Sequence, residues 1–172
     1  MKDTILFGDC RETLSQIDEK VRMCVTSPPY YGLRNYGDES NQIGQEDTPE
    51  EYIQNLVNIF RSVRNCLSDD GTLWVNIGDS YYNYRPGKGQ ALVKQTVSAT
   101  KQDLPDKCAR RGNKLEGLKE KDLIGIPWML AFALRADGWY LRQDIIWHKP
   151  NPMPESVKDR CTKSHEYLFL LS

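Results

Sequence analysis

The chain of 172 residues contains no long apolar run and very little histidine. No segment approaches the ~18 apolar residues that a membrane-spanning helix needs, and the N-terminus lacks the apolar stretch of a secretory signal. The five cysteines are widely spaced, and no pair has the spacing of a zinc or redox motif. We therefore expect structural thiols, no metal site, no membrane association and a reducing, cytoplasmic setting. The cysteines are Cys10, Cys24, Cys66, Cys108 and Cys161.

The composition is that of an ordinary globular protein, with 39% hydrophobic and 27% charged residues. A chain of this length can form one domain with its own core. The small net charge hides a strong segregation. Residues 1–84 carry 7 Lys/Arg against 14 Asp/Glu, whereas residues 85–121 carry 10 against 4.

The basic stretch, residues 85–121, is poor in large apolar residues and shows no sustained hydrophobic period. This pattern predicts a long insertion outside the core. Because clustered cations attract nucleic acid whatever its sequence, we favour an arm that contacts phosphates over a solvated linker. The candidate DNA-binding residues are Arg85, Lys88, Arg110, Arg111 and Lys114.

Short apolar runs alternate along the chain with segments of helical spacing. The clearest helix begins after Thr48, because an N-cap, a proline and the capping-box Glu51 precede an apolar face that extends to Leu67. This alternation predicts an α/β fold with a mostly parallel sheet. We expect strands near residues 4–7, 21–26, 72–77, 139–147 and 166–171, and further helices over residues 11–17 and 127–136.

The strand that ends at Thr26 leads into Ser27, Pro28, Pro29 and Tyr30. Neither proline has an N–H to donate, and the residue before each proline is held in an extended conformation. The result is a rigid tip with a hydroxyl, carbonyl groups and an aromatic ring. Such a tip can accept hydrogen bonds from an amino group while it stacks on a flat ring. Alone it could merely end a strand; after an apolar strand, with a Gly-Asp pair upstream, a functional role is favoured.

Ligands of open α/β sheets bind beyond the carboxyl ends of the strands. The predicted ends at residues 8–9, 26–30 and 78–79 are therefore expected to share one crevice. Asp9 is also a candidate helix N-cap, and Asp79 fits a turn as well as it fits a site wall.

These segments resemble the amino-methylating DNA methyltransferases, and their order resembles the permuted group with the catalytic motif near the N-terminus. The resemblance rests on Ser27-Pro28-Pro29-Tyr30, on Ile5-Leu6-Phe7-Gly8-Asp9, on residues 71–79 and on residues 145–150. It implies a Rossmann-like methyltransferase sheet and S-adenosylmethionine as cofactor.

The resemblance also implies roles for individual residues. Ser27, Pro28, Pro29 and Tyr30 would be catalytic: the Ser27 hydroxyl and the Pro28 carbonyl accept the protons of a base amine, and Tyr30 stacks on the flipped base. A serine in the first motif position favours cytosine N4 as the target, with adenine N6 as the alternative. Cofactor binding would fall to Asp9, Cys10, Thr26 and Ser27.

The pattern that this group resembles includes an acidic-Pro-Phe-x-Gly-x-Gly segment, which binds the methionine part of the cofactor. Residues 1–172 lack this segment. We therefore expect residues 1–172 to be the N-terminal catalytic part of a longer protein, with a sheet that is incomplete at its C-terminus and little activity alone. The implied partner is double-stranded DNA; a homodimer and a restriction endonuclease partner remain open. The alternatives are a non-catalytic DNA-binding remnant and an enzyme that modifies RNA or free nucleotides.

Overall fold

The structure is a computed structural model that describes residues 3–33, 42–82, 90–91, 109–110, 115 and 117–172. It contains two compact units, Met1–Ser80 with Gly125–Ser172 and Tyr81–Ile124. In chain order the elements are α1 (Cys10–Thr13), a 3₁₀ turn (Leu14–Gln16), β1 (Val21–Thr26), α2 (Pro49–Cys66), β2 (Leu67–Ile77), β3 (Gln90–Ala91), β4 (Ala109–Arg110), α3 (Ile126–Ala136), β5 (Leu141–His148) and β6 (His165–Leu171).

The larger unit is built on a four-stranded sheet of order β1-β2-β6-β5. β1 and β2 are parallel, and β6 is antiparallel to both of its neighbours, β2 and β5. The α/β class is as predicted, but the sheet is mixed, so the expectation of a mostly parallel sheet is not confirmed. The reason lies in the connection from β5 to β6: residues 149–164 contain no helix, and a parallel return needs a crossover that is usually helical.

Helix α2 forms as the sequence predicts. The Thr48 hydroxyl accepts a hydrogen bond from the N–H of Glu51, and Pro49 occupies the first turn, where its missing N–H is harmless. The apolar face is buried in the core. Its buried members are Tyr52, Ile53, Leu56, Val57, Phe60 and Val63.

Helices α2 and α3 lie against one face of the sheet. Alternate residues of β2 are buried beneath them, and Trp128 of α3 packs edge-on against Phe169 of β6. The side chain of Arg61 joins the two helices through an ion pair with Asp137. The predicted helix over residues 127–136 is therefore confirmed. No described helix is both long and apolar enough to cross a membrane.

Three local predictions were wrong at their boundaries or in type. Residues 4–7 form no strand, and Phe7 is 89% exposed; an apolar run becomes a strand only where a neighbour receives its hydrogen bonds. The predicted helix over residues 11–17 is a single turn followed by a 3₁₀ turn. β2 starts five residues early, at Leu67, because residues 68–71 form an irregular excursion between the first two rungs of its pairing with β1.

The smaller unit contains the short antiparallel pair of β3 and β4 and a bridge between Tyr81 and Leu123. Tyr82 is buried, and its hydroxyl accepts a hydrogen bond from the N–H of Leu115 at 3.0 Å. Most of the basic stretch, residues 85–121, lies outside the described residues.

Candidate active site

The proline-rich tip, residues 27–30, follows β1 directly and is held from two sides. The Tyr52 hydroxyl of α2 donates a hydrogen bond to the Pro29 carbonyl at 2.8 Å. Gly44 approaches so closely that a Cβ there would lie 2.9 Å from the carbonyl oxygen of Tyr30. These contacts fix the backbone of the tip independently of any ligand.

Two neighbouring residues of the tip carry its candidate acceptor oxygens. Ser27 is exposed, while the adjacent Pro28 is buried. Among the described residues no hydrogen bond reaches the Pro28 carbonyl. The tip thus carries a hydroxyl oxygen and a carbonyl oxygen on adjacent residues, on a backbone stiffened by two prolines.

Tyr30 packs against Gly78, directly after the end of β2. A Cβ at Gly78 would lie only 2.7 Å from the Cε2 atom of Tyr30, so the ring needs a glycine at this position. Its hydroxyl donates to Oδ1 of Asn76 at 3.3 Å. Burial raises the pKa of Tyr30 to about 12, so the hydroxyl keeps its proton at neutral pH.

A carboxylate and an ammonium group lie behind the tip, at the start of β6 and the end of β5. Lys149 forms an ion pair with Glu166, whose side chain is 20% exposed. Burial raises the pKa of Glu166, but the hydrogen bond and charge of Lys149, with smaller contributions from Tyr30 and Asn76, lower it overall. Glu166 is therefore ionised at neutral pH.

The Asp79 carboxylate binds backbone N–H groups and so has a structural role. Its carboxylate accepts hydrogen bonds from the N–H groups of Gly125 and Ile126 at 3.0 Å, and from that of Ser80 at 2.9 Å. Gly125 is the N-cap residue of α3 and has no side chain to cap the helix. Asp79 supplies that missing cap from the end of β2 and so joins the strand to the helix.

Asp9 is the N-cap of α1, as one of the two sequence interpretations proposed. Its carboxylate accepts from the backbone N–H of Arg11 and pairs with the Arg11 guanidinium. These hydrogen bonds lower the pKa of Asp9 to about 2. Burial raises the pKa of the neighbouring Cys10 thiol, which keeps that thiol protonated at neutral pH.

The structure brings together two of the three strand ends that were predicted to share a crevice. Gly78 touches Tyr30, so residues 26–30 and 78–79 meet at one edge of the sheet. No described contact of Asp9 reaches the tip. Of the predicted DNA-binding residues, four lie outside the described residues, and only the backbone of Arg110 is described, in β4.

The sequence interpretation missed three residues of the site. Tyr52 was assigned to the core alone, and neither Asn76 nor Glu166 was singled out. Asn76 did carry a signal, since it is the one polar residue in the buried run of residues 73–77.

The family of the chain follows from its sequence relatives. A family model for N6/N4 methyltransferases, described as DNA methylase, matches residues 21–172. The chain belongs to this DNA methylase family. It is 53% identical to the Type II methyltransferase M.SmaI of Serratia marcescens, over 98% of this chain and 55% of that protein. The Type II methyltransferase M.Cfr9I of Citrobacter freundii is 51% identical, over 98% and 54%.

Solved structures of DNA methylases share the fold. The PvuII DNA methyltransferase, described as cytosine-N4-specific, aligns with a TM-score of 0.61 and 16% identity, over 96% of this chain and 47% of that one. A Thermus thermophilus protein assigned as a DNA modification methylase, in complex with S-adenosyl-L-methionine, aligns with a TM-score of 0.60 and 21% identity, over 95% and 50%. The methyltransferase fold is confirmed, and the chain spans about half the length of the relatives it matches.

Proposed function

We propose that this DNA methylase transfers a methyl group from S-adenosylmethionine to the exocyclic N4 amine of a cytosine in double-stranded DNA. The observation that carries the proposal is the tip itself. Ser27 is exposed, no hydrogen bond from the described residues reaches the carbonyl of the adjacent Pro28, and the Tyr30 hydroxyl is held by Asn76.

This arrangement suits a reaction at an aromatic amine. The lone pair of such an amine is delocalised into the base and is a poor nucleophile. Two fixed oxygens, Ser27 Oγ and the Pro28 carbonyl oxygen, accept hydrogen bonds from the two N–H groups of the amine. These bonds favour the pyramidal form of the amine, in which the lone pair is free. Because the acceptors are already in place, no reorganisation is needed when charge develops. Tyr30 stacks on the base, which must leave the duplex to reach the tip.

The residues present fit the adenosine end of the proposed cofactor. Phe7 is 89% exposed and stands two residues before Asp9, so a flat apolar ring and a carboxylate acceptor lie close in the chain. The Asp9 carboxylate accepts from Arg11, yet a carboxylate offers about four acceptor positions. Cys10, Thr26 and Ser27 complete the proposed binding set. When bound, the cofactor supplies an electrophilic methyl group for the base nitrogen.

Several observations support DNA as the substrate and cytosine as the base. Two relatives whose sequences are about 50% identical to this chain are Type II methyltransferases. The basic stretch, residues 85–121, supplies an excess of cations, which attract a polyanion. Ser27 in the first motif position is typical of cytosine-N4 enzymes, and the PvuII enzyme of like fold is described as cytosine-N4-specific. Adenine N6 is the second candidate. The carboxylate or amide oxygen that is typical of adenine-N6 enzymes in that position accepts the same hydrogen bond as the Ser27 hydroxyl, so the two chemistries are similar.

Transfer of labelled methyl groups tests the enzymatic proposal. We expect the natural full-length protein to move the label from methyl-labelled S-adenosylmethionine into unmodified duplex DNA, because Ser27 and Pro28 offer acceptors for a base amine. RNA and free nucleotides serve as competing substrates in the same assay. Incorporation into RNA or nucleotides in place of DNA would contradict the substrate, and binding of DNA without any transfer would identify a non-catalytic remnant.

A further inference from the structure

Asn76 lies at the junction of the tip and β2. Its side-chain oxygen, Oδ1, is 3.3 Å from the hydroxyl of Tyr30 and 3.5 Å from that of Ser27. Its nitrogen, Nδ2, donates to the backbone carbonyl of Tyr167 in β6 at 3.2 Å. A carbonyl can only accept, so this last bond determines which end of the amide faces the tip. The oxygen faces the tip and the nitrogen faces β6.

An amide oxygen cannot donate a proton, so in these two contacts the hydroxyls are the donors and Asn76 Oδ1 is the acceptor. The Tyr30 hydroxyl thereby anchors the ring that lies on Gly78. The Ser27 hydroxyl, with its proton directed at Asn76, turns its lone pairs away from the sheet. Since Ser27 is exposed, its oxygen can then accept a hydrogen bond from a base amine.

The Glu166–Lys149 pair supports the same amide from behind. Asn76 and Tyr30 both form hydrogen bonds with the Glu166 carboxylate, and Lys149 keeps that carboxylate ionised. A polar chain thus runs from Lys149 through Glu166 and Asn76 to the two hydroxyls. Every residue of this polar chain belongs to a strand of the sheet or lies within four positions of a strand end. The polar chain is therefore built on the rigid sheet.

We propose that Asn76 is a positioning residue for methyl transfer: its oxygen accepts hydrogen bonds from the Ser27 and Tyr30 hydroxyls, so that the Ser27 oxygen is presented to the base amine as an acceptor. Without Asn76 the Ser27 hydroxyl loses this acceptor and spends part of its time with its proton towards the amine, where it repels the amine protons. This role rests on the proposed function, because it acts through Ser27.

A double-mutant cycle in the natural full-length protein tests the role. We expect Asn76→Ala to lower kcat in single-turnover methyl transfer by about 10- to 100-fold, the range expected when a reacting group is misplaced, while the DNA Kd stays unchanged. In the Ser27→Ala background the same change is expected to lower kcat less than about threefold, because the Ser27 hydroxyl is gone and Tyr30 keeps its packing on Gly78 and its hydrogen bond to Glu166. Asn76→Leu keeps the side-chain volume and should match Asn76→Ala. Asn65→Ala, an exposed asparagine of α2, serves as the control with wild-type kcat.

The outcomes separate this role from a structural one and from failure of the proposed function. Equal losses of kcat in both backgrounds would mean that Asn76 merely supports the fold, and would overturn the proposal. So would wild-type kcat in Asn76→Leu. If the wild-type protein transfers no methyl group at all, the proposed function fails first, whatever the variants do.

Discussion

The Ser27→Ala protein is expected to bind DNA normally and to transfer methyl groups about 10²- to 10³-fold more slowly than the wild-type protein, the loss that follows removal of one preorganised hydrogen-bonding group from a transition state. The hydroxyl is exposed at the crevice, and its described hydrogen bond to Asn76 is long, at 3.5 Å. Its removal therefore leaves the fold intact while one amine proton loses its acceptor. Single-turnover transfer and DNA affinity, measured on the same preparation, separate the two effects.

Ser68→Ala is the matched control for Ser27→Ala. The Ser68 hydroxyl donates to Oδ1 of Asp70 at 2.8 Å, and it lies next to Val21, at the opposite end of β1 from the tip. It should leave kcat at the wild-type value. A Ser27→Ala protein with wild-type kcat, or with DNA affinity reduced as much as kcat, would remove Ser27 from its assigned role.

Asp79→Ala is expected to destabilise the fold by about 2–4 kcal/mol, since it removes a charged acceptor from a helix N-terminus and leaves N–H groups unpaired. The groups left without an acceptor are the backbone N–H groups of Gly125, Ile126 and Ser80. Ile126 is fully buried, so water cannot readily replace the carboxylate there. The free energy of unfolding, from denaturant titration, measures the loss.

Two further variants make the stability measurement specific. Asp79→Asn keeps one acceptor oxygen and should lose less than Asp79→Ala. Asp69→Ala removes an exposed carboxylate from β2, the strand that precedes Asp79, and should change the free energy of unfolding by less than about 0.5 kcal/mol. If Asp79→Ala unfolds like the wild-type protein, the carboxylate does not hold α3 on the end of β2.

The elements predicted well from sequence are those whose signals are local. Helix α2 carries its own cap, proline and apolar face between Thr48 and Leu67, so no tertiary information was needed to predict it. The tip is equally local, because the prolines at positions 28 and 29 determine its stiffness. These two segments sufficed to suggest the site.

The features that sequence analysis missed depend on pairing between distant strands. Asn76 reaches the tip because Thr26 pairs with Val75 in the parallel register of β1 and β2, which places the next residue of each strand side by side. Glu166 joins them through the antiparallel register of β6. Neither register can be inferred from local composition.

The direction of β6 was misjudged for a related reason. Strand–helix alternation along the chain suggested a mostly parallel sheet, yet residues 149–164 show no helical spacing and could have indicated an antiparallel return. The predicted strand at residues 4–7 failed because an apolar run contains no information about whether a partner edge is present.

The measurement that tests the central claim most directly is mass spectrometry of nucleosides from DNA that has been incubated with the natural full-length protein and S-adenosylmethionine. Since the tip offers Ser27 and Pro28 oxygens to an exocyclic amine, we expect N4-methylcytosine, with no methylation at ring carbon. If the product is N6-methyladenine, the proposed chemistry at an exocyclic amine holds, but the target base is adenine. Methylation at C5 of cytosine would contradict the account, because a ring carbon has no amine protons for these two oxygens to accept.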